Sequence, residues 1–433
     1  MNWLVKTATA LAIAAPASAG SAAALAGRWA GQLSAHGQSI PIAVEFTHHG
    51  SAESGRFTSQ TQAVMDYPFD SVIYNHGHVI FILGGQVKFD GAIHGRAIEG
   101  SYRDPSVQGA FALHRVPPER LPYRTEDVTF TNGDVRLSGT LCLPPGKAPH
   151  PGVVLIHGSG PESRWGTIRH IADRFARAGI AVLIYDKRGS GESGGDWRTA
   201  SYDDLAHDVL AGVRLLARTP GVDSRRIGLL GHSQGGAVAP LVAKLDRSAI
   251  AFVVAEDTFA GPQWQQDIYR VSEAAKGLKL SSAEYKEAVE TYTSFVDSAR
   301  GAIPYEQFAS RAAKYKDASW YSWMAFPPRN SWVWGWAAKN SNFDPLPLWA
   351  NVMAPTLLVY GEEDNLQPRD PTIRLIETKL DHSGARYSAI IVPDAQHNLT
   401  VQPDPDGPFF WWHEARGLLD VIAAWIARQP ARG

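Results

Sequence analysis

One serine in this chain stands where its hydroxyl could be made to attack a carbonyl. The pentapeptide Gly231-His232-Ser233-Gln234-Gly235 follows the apolar run Arg226-Ile227-Gly228-Leu229-Leu230 and leads into an Ala/Val/Leu helical pattern. A Gly-x-Ser-x-Gly on a tight strand-to-helix turn lifts the hydroxyl above the end of a sheet, and the glycines let the backbone bend without clash. A serine hydroxyl is a weak nucleophile near neutral pH, so it needs a base within hydrogen-bond reach and an acid that orients that base. On a strand-turn-helix scaffold of this kind the acid follows the serine in sequence and the histidine follows the acid. Three carboxylates, Glu362, Glu363 and Asp364, come directly after the strand-like run Leu357 to Gly361. His397, in the loop after the run Tyr387 to Val392, is the candidate base; His382 and His413 lie in helix-like sequence, and Asp394 reads as a loop-shaping residue.

Attack on a carbonyl also creates an oxyanion that fixed donors must meet. The backbone N–H of Gln234, directly after the serine, is one candidate, and the N–H of Ser159 in His157-Gly158-Ser159-Gly160-Pro161 is the second. His157 and His232 read as shaping their turns rather than moving protons.

Other motifs compete for attention and are set aside on context. Gly191-Glu192-Ser193-Gly194-Gly195 repeats the serine pattern, but it lies several residues beyond its strand and no helix opens on it, so Ser193 reads as a loop serine. Gly189 to Gly194 also spells a dinucleotide fingerprint, yet the next helix opens only near Ser201, which leaves no helix N-terminus for a pyrophosphate. No cofactor is therefore expected, and Asp186-Lys187-Arg188-Gly189 reads as a turn held by an Asp/Arg pair. His48, His49, His76, His78, His94 and His114 crowd the front of the chain, and His76 and His78 share a strand face, but no carboxylate or cysteine cluster accompanies them. They read as exposed strand histidines, with no metal expected.

Positioning the serine, acid and histidine requires a sheet. Apolar runs at Gly152 to Ile156, Ala181 to Tyr185, Arg226 to Leu230, Ala251 to Ala255, Pro355 to Tyr360 and Tyr387 to Val392 alternate with amphipathic helical stretches. One helix, Thr167 to Ala178, closes on Gly179; another opens on Ser201, with Asp204 completing a capping box, and runs to about Arg218. The alternation predicts an α/β fold, a doubly wound and mostly parallel sheet, whose strand ends are the usual ligand site. An entry hairpin around Asn132-Gly133 precedes it. Residues 261–351 interrupt the rhythm with Trp-rich sequence that includes Trp320, Trp323, Trp332, Trp334, Trp336 and Trp349, and an insertion of that size predicts a helical lid. Most of those tryptophans read as the lid's own core, with at least one expected to line an apolar acyl or aryl pocket. Short runs from Gly27 to Val116, separated by Gly, Asn, Asp and His, predict a small antiparallel β domain. The expected organisation is therefore residues 1–26 signal peptide, 27–116 β domain, 117–130 a Pro-rich linker and 131–433 the α/β domain.

With 433 residues and a hydrophobic content of 44%, the chain has material for more than one globular core. A formal net charge of -2 provides no basic field for nucleic acid or an anionic membrane. Lys6, the apolar stretch Ala8 to Ala15, and two small-x-small sites, Ala17-Ser18-Ala19 and Ala24-Leu25-Ala26, spell an export leader too short to span a bilayer. A secreted or periplasmic protein without a stable membrane anchor is expected. Cys142 is the only cysteine, so no intrachain disulfide can form, and its apolar neighbours predict a buried strand thiol.

Taken together, His157-Gly-Ser-Gly-Pro161, Tyr185-Asp-Lys-Arg-Gly-Ser-Gly-Glu-Ser193 and Gly231-His-Ser-Gln-Gly235 resemble the α/β-hydrolase superfamily over about residues 125 to 430, and the EstD-type serine esterases within it. Leu25-Ala-Gly-Arg-Trp-Ala-Gly31 and Ile98-Glu-Gly-Ser-Tyr102 resemble the β domain that precedes the hydrolase in exported bacterial members. The resemblance implies that Asp364, in a Gly-x-x-Asp pattern after Gly361, is the acid, leaving Glu362 and Glu363 as solvated loop charges. It implies a serine carboxylesterase for small-molecule esters that needs nothing beyond water. A peptidase for short peptides and a non-catalytic cell-envelope binding protein are the competing expectations.

Overall fold

A computed structural model describes residues 25–50, 52–147, 149–402 and 411–432. The leader reading for Met1 to Ala24 lies outside the described residues. The chain divides into two compact units: one takes Asp66–Glu119 with the described residues up to Ser59, the other Gln60–Met65 with the described residues from Arg120 onward.

The first unit is built on nine antiparallel strands: β1 (Gly27–Ala35), β2 (Gln38–His49), β3 (Ala52–Ser59), β4 (Val64–Pro68), β5 (Ser71–Asn75), β6 (His78–Leu83), β7 (Val87–His94), β8 (Ala97–Arg103) and β9 (Gln108–Val116), in the order 4-3-2-1-9-8-7-6-5. Period-two alternation sends Ile40, Ile42, Val44 and Phe46 of β2 to one face, all buried. There Phe46, Phe81, Phe89 and Phe111 meet in edge and stacked pairs 4.6–5.6 Å apart.

The second unit carries an eight-stranded sheet: β10 (Arg124–Asn132), β11 (Val135–Leu143), β12 (His150–Ile156), β13 (Ala181–Tyr185), β14 (Val222–His232), β15 (Val253–Glu256), β16 (Thr356–Gly361) and β17 (Tyr387–Val392), in the order 10-11-13-12-14-15-16-17. The β10–β11 hairpin is antiparallel and the strands from β13 onward are parallel. β10 begins at Arg124, inside the segment read as linker. Both faces of the interior parallel strands are covered, so β12, β13, β15 and β16 are near-continuous apolar runs, while β17 at the edge is largely exposed. Val154, Ile156 and Leu229 face a core shared with α2 (Tyr202–Ala217), α3 (Gln234–Leu245) and α10 (Arg369–Ser383), while Val153, Leu155 and Leu230 face α1 (Thr167–Arg177) and α11 (Leu418–Ala427). Ser201 and Asp204 cap α2 reciprocally. Cys142 is fully buried in β11.

Between β15 and β16 the chain inserts α4 (Gln263–Lys276), α5 (Ser282–Ala299), α6 (Tyr305–Lys314), α7 (Tyr321–Met324), α8 (Trp332–Asn340) and α9 (Leu346–Trp349). Trp334 packs with Phe295 and Phe308 in one small core and Trp320 with Val271 and Met324 in another, while Trp349 joins the main sheet core. Trp332, the most exposed of them, meets Trp197 edge-on at 4.9 Å. The insertion is tied to the carboxyl side of the sheet by Tyr202 stacked 3.7 Å from Phe343 and by Gln266 Nε2 donating to Leu366 O. No helix among the described residues is long and apolar enough to cross a membrane.

Candidate active site

Ser233 caps α3 immediately past β14, with φ 53° and ψ −115°, a left-handed conformation that a non-glycine residue holds only under constraint. Its N–H donates to Glu256 O at 2.8 Å, which ties the turn to β15. The turn closes because nothing projects from its glycines: a Cβ on Gly231 would lie 2.3 Å from Gly235 O, and one on Gly235 would lie 2.4 Å from Ile156 O. That second approach also seats the first turn of α3 against the end of β12, which leads into the Gly158-Ser159 loop.

The three residues singled out for acyl transfer come together. His397 Nε2 lies 3.0 Å from Ser233 Oγ and His397 Nδ1 lies 3.0 Å from Asp364 Oδ2. His397 follows β17 and Asp364 follows β16, and Glu363 N–H donates to Ala395 O across the two loops. Glu362 and Glu363 are exposed, whereas Asp364 is buried. Asp394 N–H donates to Glu362 Oε2, a loop contact, while His382 lies in α10, and His413 lies not in a helix but in the short strand β19 (His413–Glu414), which pairs with β18 (Thr400–Val401). Burial works against the Asp364 charge, but the hydrogen bond and charge of His397, with Leu366 N–H at 2.9 Å, outweigh it and hold the carboxyl below its ordinary range. His232, whose ring centre is 5.0 Å from that of His397, is pushed down to about 4 by burial and is a neutral ring.

Sequence reading missed Asp257, in the left-handed region just past β15 with its Oδ1 accepting from Gly361 N–H at 2.9 Å. Burial, then the Asp364 charge, raise its carboxyl well above the ordinary value, so two neighbouring acids are set apart, one neutral and one ionised. The available signal was Glu256-Asp257 ending an otherwise apolar run. Asp257, Asp364 and His397 could share a cation by proximity, but both nitrogens of His397 are already engaged by Ser233 and Asp364.

Gln234 N–H opens α3 and, as a first-turn donor, has no acceptor within the helix. In the other loop Gly158 N–H is taken by Glu162 Oε2 at 3.2 Å, and Ser159 is exposed. His157 is buried with Nε2 on Tyr185 O and Nδ1 3.3 Å from Glu162, a turn-forming arrangement. Ser193 donates to Asp186 O and accepts from Ser138 N–H, so that serine is buried loop structure. The expected Asp186/Arg188 turn pair is replaced by two longer-range ones: Arg188 binds Asp208 of α2 with two 2.7 Å hydrogen bonds, and Asp186 receives the backbone N–H groups of Arg164 and Glu192. In the first unit His78 Nε2 faces Asp90 Oδ1 at 2.8 Å, a surface pair.

The sequence profile of the alpha/beta hydrolase family matches residues 153–407. Esterase EstD of Thermotoga maritima is 25% identical over 342 residues, 75% of this chain and 75% of that protein. An uncharacterised peptidase of Bacillus subtilis, YuxL, is 32% identical over 318 residues, 71% of this chain but 38% of its own length. Among solved structures, the Pyrococcus furiosus esterase Pf2001 aligns with 72% of this chain and 93% of its own at a TM-score of 0.44 and 20% identity.

Proposed function

Because the chain belongs to the alpha/beta hydrolase family, we propose that it is a serine carboxylesterase that cleaves small carboxylic esters through an acyl-enzyme on Ser233. The observation that carries the reading is the unbroken hydrogen-bonded run from Ser233 through His397 to Asp364. Ser233 Oγ adds to the ester carbonyl as its proton passes to His397 Nε2, and the N–H groups of Gln234 and Ser159 receive the oxyanion. His397 returns the proton to the leaving alcohol; water then repeats both steps, releasing the acid and restoring Ser233. Asp364, ionised and bonded to Nδ1, fixes the tautomer and supports the imidazolium that forms. Similarity to EstD across three quarters of both chains supports an ester substrate. Similarity to YuxL supports a second reading, hydrolysis of short peptides. Export after removal of an N-terminal leader belongs to the same proposal.

Purified protein assayed on p-nitrophenyl esters and aminoacyl p-nitroanilides separates the readings. We expect ester cleavage that falls by roughly 10⁴-fold or more in Ser233→Ala and in His397→Ala. Unchanged turnover in Ser233→Ala removes the mechanism, preference for the anilides makes the protein a peptidase, and turnover of neither points to a binding protein.

A further inference from the structure

A buried ammonium lies behind the two backbone donors. Lys187, in the loop just past β13, is 4% exposed, and its Nζ donates to Gly158 O and to Gln234 Oε1, each at 2.7 Å. Gly158 O and Ser159 N–H are opposite ends of one peptide plane, so in a trans peptide the direction of one sets the direction of the other. The preceding plane is held as well, because Gly158 N–H donates to Glu162 Oε2. The loop also stays close to the serine turn: a Cβ on Gly158 would lie 3.5 Å from His232 Cδ2 and 3.7 Å from His232 O.

We propose that Lys187 is a positioning residue for ester hydrolysis, a single cation that aims the Ser159 N–H by holding Gly158 O and steadies Gln234 by holding its side chain. The proposal rests on the reading of Ser233 as the nucleophile. Burying a charge costs stability unless it is paired and hydrogen-bonded, and an apolar side chain would fill this volume more cheaply. Held by two carbonyl-type oxygens, the ammonium places positive charge behind the site where an oxyanion would develop. The charged groups that act on it are Glu162, from the loop after β12, and Asp208 of α2; Glu162 is in turn influenced by His157 and His232, and Arg188 is paired to Asp208. Burial pushes the Lys187 ammonium down to about 8, against the pull of Glu162 and Asp208. Its proton is therefore lost within the range where an esterase can be assayed, and the neutral amine holds a carbonyl more weakly.

The test is steady-state kinetics of the full chain and of Lys187→Met on a p-nitrophenyl ester from pH 6 to about 9.5. We expect kcat of Lys187→Met to fall by about 10- to 100-fold with KM within about 3-fold, since a misaimed donor costs rate rather than substrate binding. The unmodified protein should lose kcat through an alkaline limb near pH 8 that Lys187→Met lacks, while the thermal midpoint of the variant stays level or rises. A kcat within about 3-fold of the unmodified protein, or a loss confined to KM, overturns the proposal. Should Lys187→Met fail to fold, Lys187→Gln, a shorter and neutral polar side chain, is assayed in its place, and a kcat within about 3-fold of the unmodified protein overturns the proposal as well. Absence of ester turnover, or of fluorophosphonate labelling at Ser233, in the unmodified protein would instead bring down the underlying reading, and this one with it.

Discussion

Asp364 and Asp257 are chemically identical side chains with carboxylate oxygens within 4.8 Å of one another, and their surroundings assign them opposite states. Asp364 is held ionised by His397 and Leu366 N–H, whereas Asp257, buried beside that charge, keeps its proton. A neutral carboxyl has a near-isostere in asparagine and an ionised one does not. Asp257→Asn should therefore keep ester turnover within about 10-fold of the unmodified enzyme, while Asp364→Asn should lose roughly 10²- to 10⁴-fold by leaving His397 without its anionic partner. Equal losses in the two variants, measured as kcat/KM, would show that the charges are not divided this way. Glu256, one residue earlier, carries a related consequence for stability. Burial raises its carboxyl to about 8, from an ordinary 4.5. As the pH rises from about 4.5 to about 8 the unfolded chain releases this proton and the folded one does not, so the group's contribution to stability falls across that window and levels off above it. Glu256→Gln removes the penalty, which predicts a gain of about 4 kcal/mol at pH 8 that all but vanishes near pH 4.5. Thermal melts at the two ends check it, and an identical shift at both ends would remove burial of an acid as the cause.

At the scale of elements the site depends on how closely β12, β14 and the start of α3 approach one another. The most sensitive point is Gly235, where a side chain would enter the backbone of Ile156 and His157. Gly235→Val should cost about 3 kcal/mol and displace Ser233 from His397, so that activity falls further than stability alone explains. A variant that melts normally and hydrolyses normally would contradict that. The central strands were legible because burial on both faces leaves an unmistakable run, as in Ala181–Tyr185, and the edge strand Tyr387–Val392, though largely exposed, is still marked by Ala389-Ile390-Ile391-Val392; both are read from the sequence with the limits they have in the structure. The turn of the entry hairpin was legible at Asn132-Gly133, but the extent of Arg124–Asn132 was not, because it is an edge strand whose one buried residue is Phe130, and a polar strand has no apolar signature. Ser233, Asp364 and His397 could be singled out because each sits in a motif at the end of a readable strand. Lys187 and Asp257 could not, since what distinguishes them is long-range: a carbonyl 29 positions away for one, a carboxylate after the next strand for the other. The Arg188 partner failed for the same reason, as Asp208 lies 20 residues on and faces the turn only once α2 has docked.

Across the whole molecule, the second unit holds every residue of the proposed chemistry, and the first contributes a nine-stranded sheet whose opening residues bear on how the mature chain begins. Two small-x-small sites compete in the proposed leader, one ending at Ala19 and the other at Ala26. The structure weighs them differently. Leu25 is fully buried in the first unit, and its carbonyl accepts the Trp29 indole N–H at 2.8 Å, with Trp29 itself fully buried. Ala26 O accepts a hydrogen bond from Arg115, whose guanidinium also lies 4.4 Å from the centre of the Trp29 ring. Cleavage after Ala26 would remove one core side chain and leave both a buried indole N–H and an arginine without these acceptors, a loss of about 3 kcal/mol or more. Cleavage after Ala19 keeps all of it. If the protein is exported, its mature form should therefore begin at Gly20, and intact-mass measurement with N-terminal sequencing of the exported material decides the point. A mature chain that begins at Gly27 would mean that the sheet closes without the Leu25 plug, and Leu25→Ala would then leave its melting temperature unchanged instead of lowering it.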